Sequence, residues 1–328
     1  MTQLRILAED DVRAAIDAAR ALDLARQTLI DQAAGGSVLA SPPTMSLDAK
    51  PHGGSTFKFR AATVGHLGVS GIRLLSRDTP TGPGACEYCA VYRHGSTAIS
   101  GLVSETWLSR IRTAAFGAAV IERLVNPGAL VIALFGTGRI AHEIVPMLAL
   151  TLRVAELRVH SRRAESMSAF VSKHAPNLAC GIRAEPDCRR AADGADLIVT
   201  LTESPSPLVF PDSLKAGVVV CSMGNYNELA FGVLSASQRF VVDDPEYASS
   251  RGDGGAWIEQ GHLSRSEFVA RIDALACEIA AGKKAGRLRQ SDRIVALIQG
   301  MAIGDVAFAA HALNEAEKLG RGLLIELP

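Results

Sequence analysis

The residues best suited to chemistry are Gly136-Thr137-Gly138-Arg139-Ile140-Ala141, which follow the apolar run Ala129 to Phe135 directly. An apolar run of that length, rich in Val and Ile, reads as a buried strand. Gly136 allows the tight turn out of the strand, and Gly138 lets the backbone approach a diphosphate. Ala141 is small enough for the next helix to pack against that strand. The first N–H groups of such a helix, with its partial positive charge, suit phosphate oxygens. Strand before, helix after and a second strand further on turn a weak glycine pattern into a specific dinucleotide signal.

The second strand is predicted over Glu156 to His160 and runs into Ser161-Arg162-Arg163. Folds that bind NAD usually place an Asp or Glu at this point, for the ribose hydroxyls. Here a hydroxyl and two guanidinium groups stand instead, and they suit a 2′-phosphate. NADP(H) is therefore favoured as cofactor, with NAD(H) the alternative if Arg162 and Arg163 are solvated loop residues.

Other candidate chemistry is thin. Cys86-Glu-Tyr-Cys89 has C-x-x-C spacing but lies in a strand-like run, with no second pair to complete a zinc site. His142-Glu143 opens no H-E-x-x-H, because position 146 is Pro. No metal site is expected from the eight histidines. The six cysteines fit a reducing compartment.

The elements that must hold the glycine loop follow from patterning. The chain has 328 residues, 48% hydrophobic and 21% charged, enough for two ordinary domains with sizeable cores. Thirty-four basic residues balance thirty-four acidic ones, which gives no argument for nucleic acid or an anionic membrane. No apolar run reaches the ~18 residues of a membrane span, and the first residues lack a secretory core. A cytoplasmic protein is expected.

Residues Asp10 to Ala33 have helical spacing, with Asp10 or Asp11 as N-cap and Gly35-Gly36 as stop. Strands are predicted at Thr44–Leu47, Ser55–Ala61, Gly68–Ser76, Cys86–Tyr92 and Thr97–Val103, parted by turns such as Thr79-Pro-Thr-Gly. A helix from Ser104 to Leu124 closes this α+β unit. From Ala129 strands alternate with helices: Leu130–Phe135, Leu157–His160, Leu197–Thr200, Val218–Ser222 and Phe240–Val242. That alternation predicts a parallel sheet wound on both faces. A last helix, Arg293 to about Lys318, is expected to return to the first domain. The predicted class is α/β, a Rossmann-type doubly wound sheet plus a discontinuous α+β domain. Residues 1–120 and 305–328 would form the latter, and 121–304 the former.

Several stretches resemble the ornithine cyclodeaminase/mu-crystallin family: Arg110-Ile-Arg112-Thr113-Ala-Ala, the glycine loop, Thr200-Leu-Thr202, Ala281-Gly-Lys-Lys-Ala-Gly-Arg287 and Ile298-Gln-Gly-Met-Ala-Ile-Gly-Asp305. Order and spacing agree over roughly residues 40 to 328. The resemblance implies a substrate-binding and dimerisation domain, a homodimer, and a small amino or imino acid as substrate. It implies that Arg112 clamps the substrate carboxylate, a role a planar fork suits. It also implies that Thr113, Thr202, Ser222, Gly224 and Asp305 contact the cofactor.

Two departures bear on the reaction. Where the family usually has a lysine after a Gly-Val-like pair, Gly71-Ile72 is followed by Arg73. Lys58 and Arg60, on one face of the preceding strand, are alternative cations. Where cyclodeaminases carry an aspartate after a glycine, this chain has Asn225, with Glu228 as substitute base if the alignment slips. The family's arginine near Pro43-Thr44 is missing. Cyclodeamination needs a base, so net hydride transfer is the favoured reading, with Asn225 or water at the substrate nitrogen. A cyclodeaminase using tightly held NAD is the second reading, and a non-catalytic dinucleotide-binding protein the third.

Overall fold

The computed structural model describes residues 2–52, 54–77 and 86–327, apart from the side chains of Thr2, Arg77 and Cys86. The turn expected at Thr79-Pro-Thr-Gly and the Cys86 thiol lie outside the described residues. Two compact units emerge: residues 1–112 with 301–328, and residues 113–300.

The first unit is built on one mixed sheet of β1 (Thr2–Leu7), β2 (Ser37–Leu39), β3 (Met45–Asp48), β4 (Thr56–Val64), β5 (Val69–Arg77), β6 (Cys86–Arg93) and β7 (Ile99–Ser104), completed by the C-terminal strand Leu323–Leu327. From the C-terminal strand the order is β1, β7, β6, β5, β4 and β2, with β3 also on β4. Among the described residues of this sheet, β1 and β7 are the one parallel pair. Alternation decides which face is covered. On β4, Arg60, Ala62 and Val64 are buried, while Phe57 points outward. The helix Ala302–Leu319 packs against β4 and β5, so closely that a Cβ on Gly71 would lie 2.8 Å from the Val306 side chain.

The periodic segment expected as one helix from Asp10 to Ala33 is two helices, Glu9–Ala15 and Ala18–Ala33. Ile16 takes an extended conformation, and the Asp17 carboxylate accepts from Arg20 N at 2.7 Å as cap of the second helix. The break keeps Ile16 buried.

The second unit is a wholly parallel sheet of β8 (Leu130–Phe135), β9 (Val154–His160), β10 (Gly181–Ala184), β11 (Leu197–Thr200), β12 (Val219–Ser222), β13 (Arg239–Val242), β14 (Ala274–Leu275) and β15 (Ile294–Leu297). Its order is β10-β9-β8-β11-β12-β15-β13-β14. Strand direction of progress reverses between β8 and β11, the switch point at which open α/β sheets bind ligands. Its core gathers Phe135, Ile198, Val220, Phe240, Trp257, Phe268 and Val295.

The fold class is the expected one, and a further correction concerns the last predicted helix. The helix expected from Arg293 begins at Ala302, and Ile294–Leu297 is a strand lodged between β12 and β13. A short, fully buried apolar run is equally compatible with either state. Gly300, at φ 87°, separates the strand from the helix.

Candidate active site

In the second unit, the glycine loop leaves the carboxyl end of β8. Gly136 has φ 111°, and its N–H donates to His160 O at 2.8 Å. Gly138 is the N-cap of the helix Arg139–Thr151 with no side-chain cap, so the first-turn N–H groups stay open to an acceptor. Nothing lies within 4 Å of a Cβ placed on Gly138. Thr137 Oγ1 donates to Ser161 Oγ at 3.3 Å, linking the loop to the end of β9. Arg139 is exposed and Ile140 half-buried. Arg162 and Arg163 are exposed beside Ser161, and neither has a carboxylate partner among the described residues. Open N–H groups, an unfilled cradle and two unpaired guanidinium groups fit a dinucleotide carrying an extra phosphate.

The neighbouring strand ends are braced from below. Glu228 Oε1 accepts from Thr202 N at 2.5 Å, and Oε2 from Thr200 Oγ1 at 3.0 Å and Ser222 Oγ at 3.5 Å. Asp253 accepts from Ser222 Oγ at 2.5 Å and from the N–H groups of Glu228 and Leu229 at 2.6 and 2.7 Å. Both carboxyls are buried. Burial raises Glu228 above its ordinary value; burial and the Glu228 charge push Asp253 up to about 7. A Cβ on Gly224 would collide with Glu228 Oε2, so the brace requires glycine there. Asn225 is exposed in the same loop, its Oδ1 accepting from Tyr247 OH at 3.4 Å. Glu228, considered a substitute base, is therefore committed to holding the loops.

In the first unit, the sheet register assembles a buried cluster of charge. Arg60, Arg73, Cys89 and Val103 form one row across β4, β5, β6 and β7. Lys58, Leu75 and Glu87 form the next row, and Glu105 N donates to Glu87 O at 2.9 Å. Arg73 Nη2 donates to Glu87 Oε2 at 2.5 Å. Its Nε lies 2.8 Å from Glu105 Oε2, off the line of the N–H bond, so that contact is an ion pair without a hydrogen bond. Arg112, on the helix Leu108–Leu124, donates from Nε to Asp305 Oδ1 at 2.6 Å. Asp305 Oδ2 is 3.9 Å from Arg60 Nη1. Lys58 is half-buried on the Glu87 row.

Electrostatics sort these groups. Burial would raise Asp305, but Arg112, Arg73 and Arg60 hold it below the usual carboxylate range. Burial and Asp305 push Glu105 up to about 8, against Arg73 and Arg112. Burial, and the neighbouring Arg73 and Arg60, lower Arg112, against the pull of Asp305. Burial would lower Arg73 too, yet Asp305, Glu105 and Glu87 raise it. Arg112 Nη1 is buried without a hydrogen-bond partner. A buried donor left open is costly unless something polar fills it, and an anion is the chemistry a guanidinium fork accepts best.

The register thus brings together Arg73, Arg112 and Asp305, with Arg60 beside them. Asp305, expected among the cofactor contacts, has its Oδ1 engaged by Arg112. Thr113 is buried on the helix that carries Arg112. Sequence reasoning missed Glu87, Glu105 and Asp253, whose partners lie on other elements. Among the described residues no group of three or more His, Cys, Asp or Glu could hold a metal, and no helix is long and apolar enough to cross a membrane.

A model of the ornithine cyclodeaminase/mu-crystallin family matches residues 89–319. An uncharacterized cyclodeaminase of Sinorhizobium fredii is 30% identical over 229 residues, 69% of this chain and 68% of that one. A Delta(1)-pyrroline-2-carboxylate reductase of Burkholderia ambifaria is 31% identical over 217 residues, 64% of each. An archaeal alanine dehydrogenase dimer, solved with NAD bound, matches with a TM-score of 0.89 over 100% of both chains at 21% identity. That last likeness speaks for the fold.

Proposed function

Because the chain belongs to the ornithine cyclodeaminase/mu-crystallin family, we propose that it is a nicotinamide-dependent oxidoreductase that reduces a small imino acid, a cyclic ketimine being the favoured substrate. The observation that carries this reading is Asn225, exposed beyond β12 while Glu228, the nearest carboxyl in sequence, and Asp253, which holds the same loop, are buried and engaged. Cyclodeamination requires a base at the amine. Reduction of C=N requires a hydride at carbon and a proton at nitrogen, and water can supply the proton.

The glycine loop and the helix Arg139–Thr151 would hold the diphosphate, and Thr202, Ser222 and Gly224 the nicotinamide half. When bound, the reduced dinucleotide supplies the hydride. Arg112 would clamp the substrate carboxylate through its open Nη1, with Asp305 fixing the angle of the fork. Arg73 is occupied by Glu87 and Glu105 and would act by setting the charge of the pocket. Asn225 would hold the nitrogen end by a hydrogen bond, with Lys58 left outside the reaction.

The deciding experiment follows absorbance at 340 nm with NADPH, and separately NADH, against pyrroline-2-carboxylate, piperideine-2-carboxylate and a thiazoline carboxylate. Rapid oxidation with any of them supports the reductase. Silence with ammonia released from ornithine supports a cyclodeaminase, and silence in both assays with dinucleotide bound supports a binding protein. Relatives named as reductase and as cyclodeaminase make both assays necessary.

For the cofactor, the joint substitution Arg162→Ala and Arg163→Ala is expected to lower kcat/KM for NADPH relative to NADH about 10–100-fold, since bonds to charged groups contribute ~1.5–3 kcal/mol. An unchanged ratio would return both arginines to the solvent.

The outer face of the first sheet supports a homodimer. Met45, Leu47, Phe57, Ile72 and Leu74 are exposed there on three adjacent strands. Apolar surface so grouped marks an interface. Light scattering is expected to give twice the chain mass, and Leu74→Lys to give the monomer; a native monomer would refute the pairing.

A further inference from the structure

The buried cluster of the first unit contains equal numbers of cations and carboxyls: Arg60, Arg73 and Arg112 against Glu87, Glu105 and Asp305, all at least nine-tenths buried. With every group ionised the cluster is neutral. A substrate carboxylate entering at Arg112 would leave one uncompensated negative charge in a buried site, and such charges cost several kcal/mol. One carboxyl must then take a proton, and the contacts identify which.

Asp305 is held by Arg112 at 2.6 Å with Arg60 nearby. Glu87 accepts from Arg73 Nη2. Glu105, fully buried at the turn from β7 into the helix Leu108–Leu124, has no hydrogen bond on either oxygen. Its ion pair with Arg73 Nε is misaligned. Resting on the carboxylate role of Arg112 set out above, we propose that binding of a carboxylate substrate in this pocket is coupled to uptake of one solvent proton by Glu105.

The groups facing Glu105 support the coupling. Glu87 and Cys89 approach from β6, Arg73 from β5, Arg112 from the following helix and Asp305 from the helix Ala302–Leu319. Burial, with Glu105 and Asp305 nearby, keeps the Cys89 thiol protonated, so it does not compete. Burial and Asp305 push Glu105 up to about 8. Below that pH the proton is already in place and the cluster carries one net positive charge, ready for an anion. Above it each unit of pH makes the proton tenfold scarcer, and affinity falls in step.

Pyrrole-2-carboxylate is a suitable probe, because it has a carboxylate and nothing else that titrates between pH 7 and 9.5. Calorimetry on the whole protein, in two buffers of different ionisation enthalpy, is expected to show almost no proton uptake at pH 7 and nearly one proton at pH 9.5. The dissociation constant should rise about 30-fold between pH 7 and 9.5. Glu105→Gln, which fixes a neutral side chain of the same shape, should make binding independent of pH and abolish the uptake. A dissociation constant for the native protein that stays flat from pH 7 to 9.5 would overturn the proposal, as would uptake that persists in Glu105→Gln. The calorimetry of the native protein decides even if the variant fails to fold. If the probe binds at no pH, the carboxylate role of Arg112 falls, and the coupling with it.

Discussion

Replacing Arg112 by alanine is expected to raise the KM for the imino acid about 10–100-fold while that for NADPH changes less than about threefold. The side chain is 3% exposed, and its two working edges do different things. Nε holds Asp305 at 2.6 Å, while Nη1 is buried with no partner in the protein. Substrate affinity depends on the second edge, because a charged hydrogen bond made there replaces an unsatisfied donor and contributes ~1.5–3 kcal/mol. Stability depends on the first. Alanine would strand Asp305 as a buried charge, and breaking a buried pair costs about 3–5 kcal/mol, so the Tm should fall as well. Arg112→Lys separates the two effects. An ammonium can stay beside Asp305 and restore most of the Tm, but it lacks the planar fork, and the substrate KM should remain about 10-fold high. Equal changes in both KM values would remove Arg112 from the substrate and leave it a structural partner of Asp305.

How much of this site was legible beforehand depended on the distance over which its parts interact. The glycine loop could be read because strand, turn and helix are consecutive and each carries its own local signal. Ser161-Arg162-Arg163 could be read for the same reason, since it follows β9 directly. The charge cluster could not. Arg60 meets Arg73 only through the β4–β5 register, and Asp305 reaches Arg112 from a helix almost two hundred residues further on. Glu105 looks in sequence like an ordinary polar residue at the end of a strand. Only its full burial and the absence of hydrogen bonds on its carboxyl oxygens mark it out.

Neighbours in the sheet also decide the state of Ile294–Leu297 and the partners of Glu228. Ile294–Leu297 is apolar on every side because it lies inside a parallel sheet, where period-two alternation disappears. Its sequence then merges with the apolar helix that follows. Glu228 offered itself as a base because it is the nearest carboxyl after Asn225. Three loop contacts consume it instead, a fate that depends on β11 and β12 being neighbours.

Two glycines of the loop are expected to respond oppositely to the same added methyl group. At Gly136 the backbone sits at φ 111°, where L side chains are strained, and a Cβ would lie 2.6 Å from Leu201 O. The obstacle is main chain at the end of β11, so it cannot turn aside. Gly136→Ala should therefore cost at least ~2–3 kcal/mol by combined strain and overpacking, seen as a Tm lower by several degrees, and dinucleotide binding should be lost with the loop geometry. Gly138 differs in both respects. Its backbone is extended, with φ −80° and ψ −175°, and the space over it is empty of protein atoms within 4 Å. Gly138→Ala should leave the Tm unchanged within about a degree, because the folded chain has room for the methyl. If a diphosphate occupies that space, the methyl stands where its oxygens must approach the N–H groups of the helix Arg139–Thr151, and NADPH affinity should drop about 10–100-fold. Fluorescence titration with NADPH beside a thermal melt measures both quantities for both variants. A Gly138→Ala protein that melts normally and binds NADPH as tightly as the native chain would mean that the diphosphate does not lie over this turn, and the cofactor would have to be sought elsewhere on the sheet.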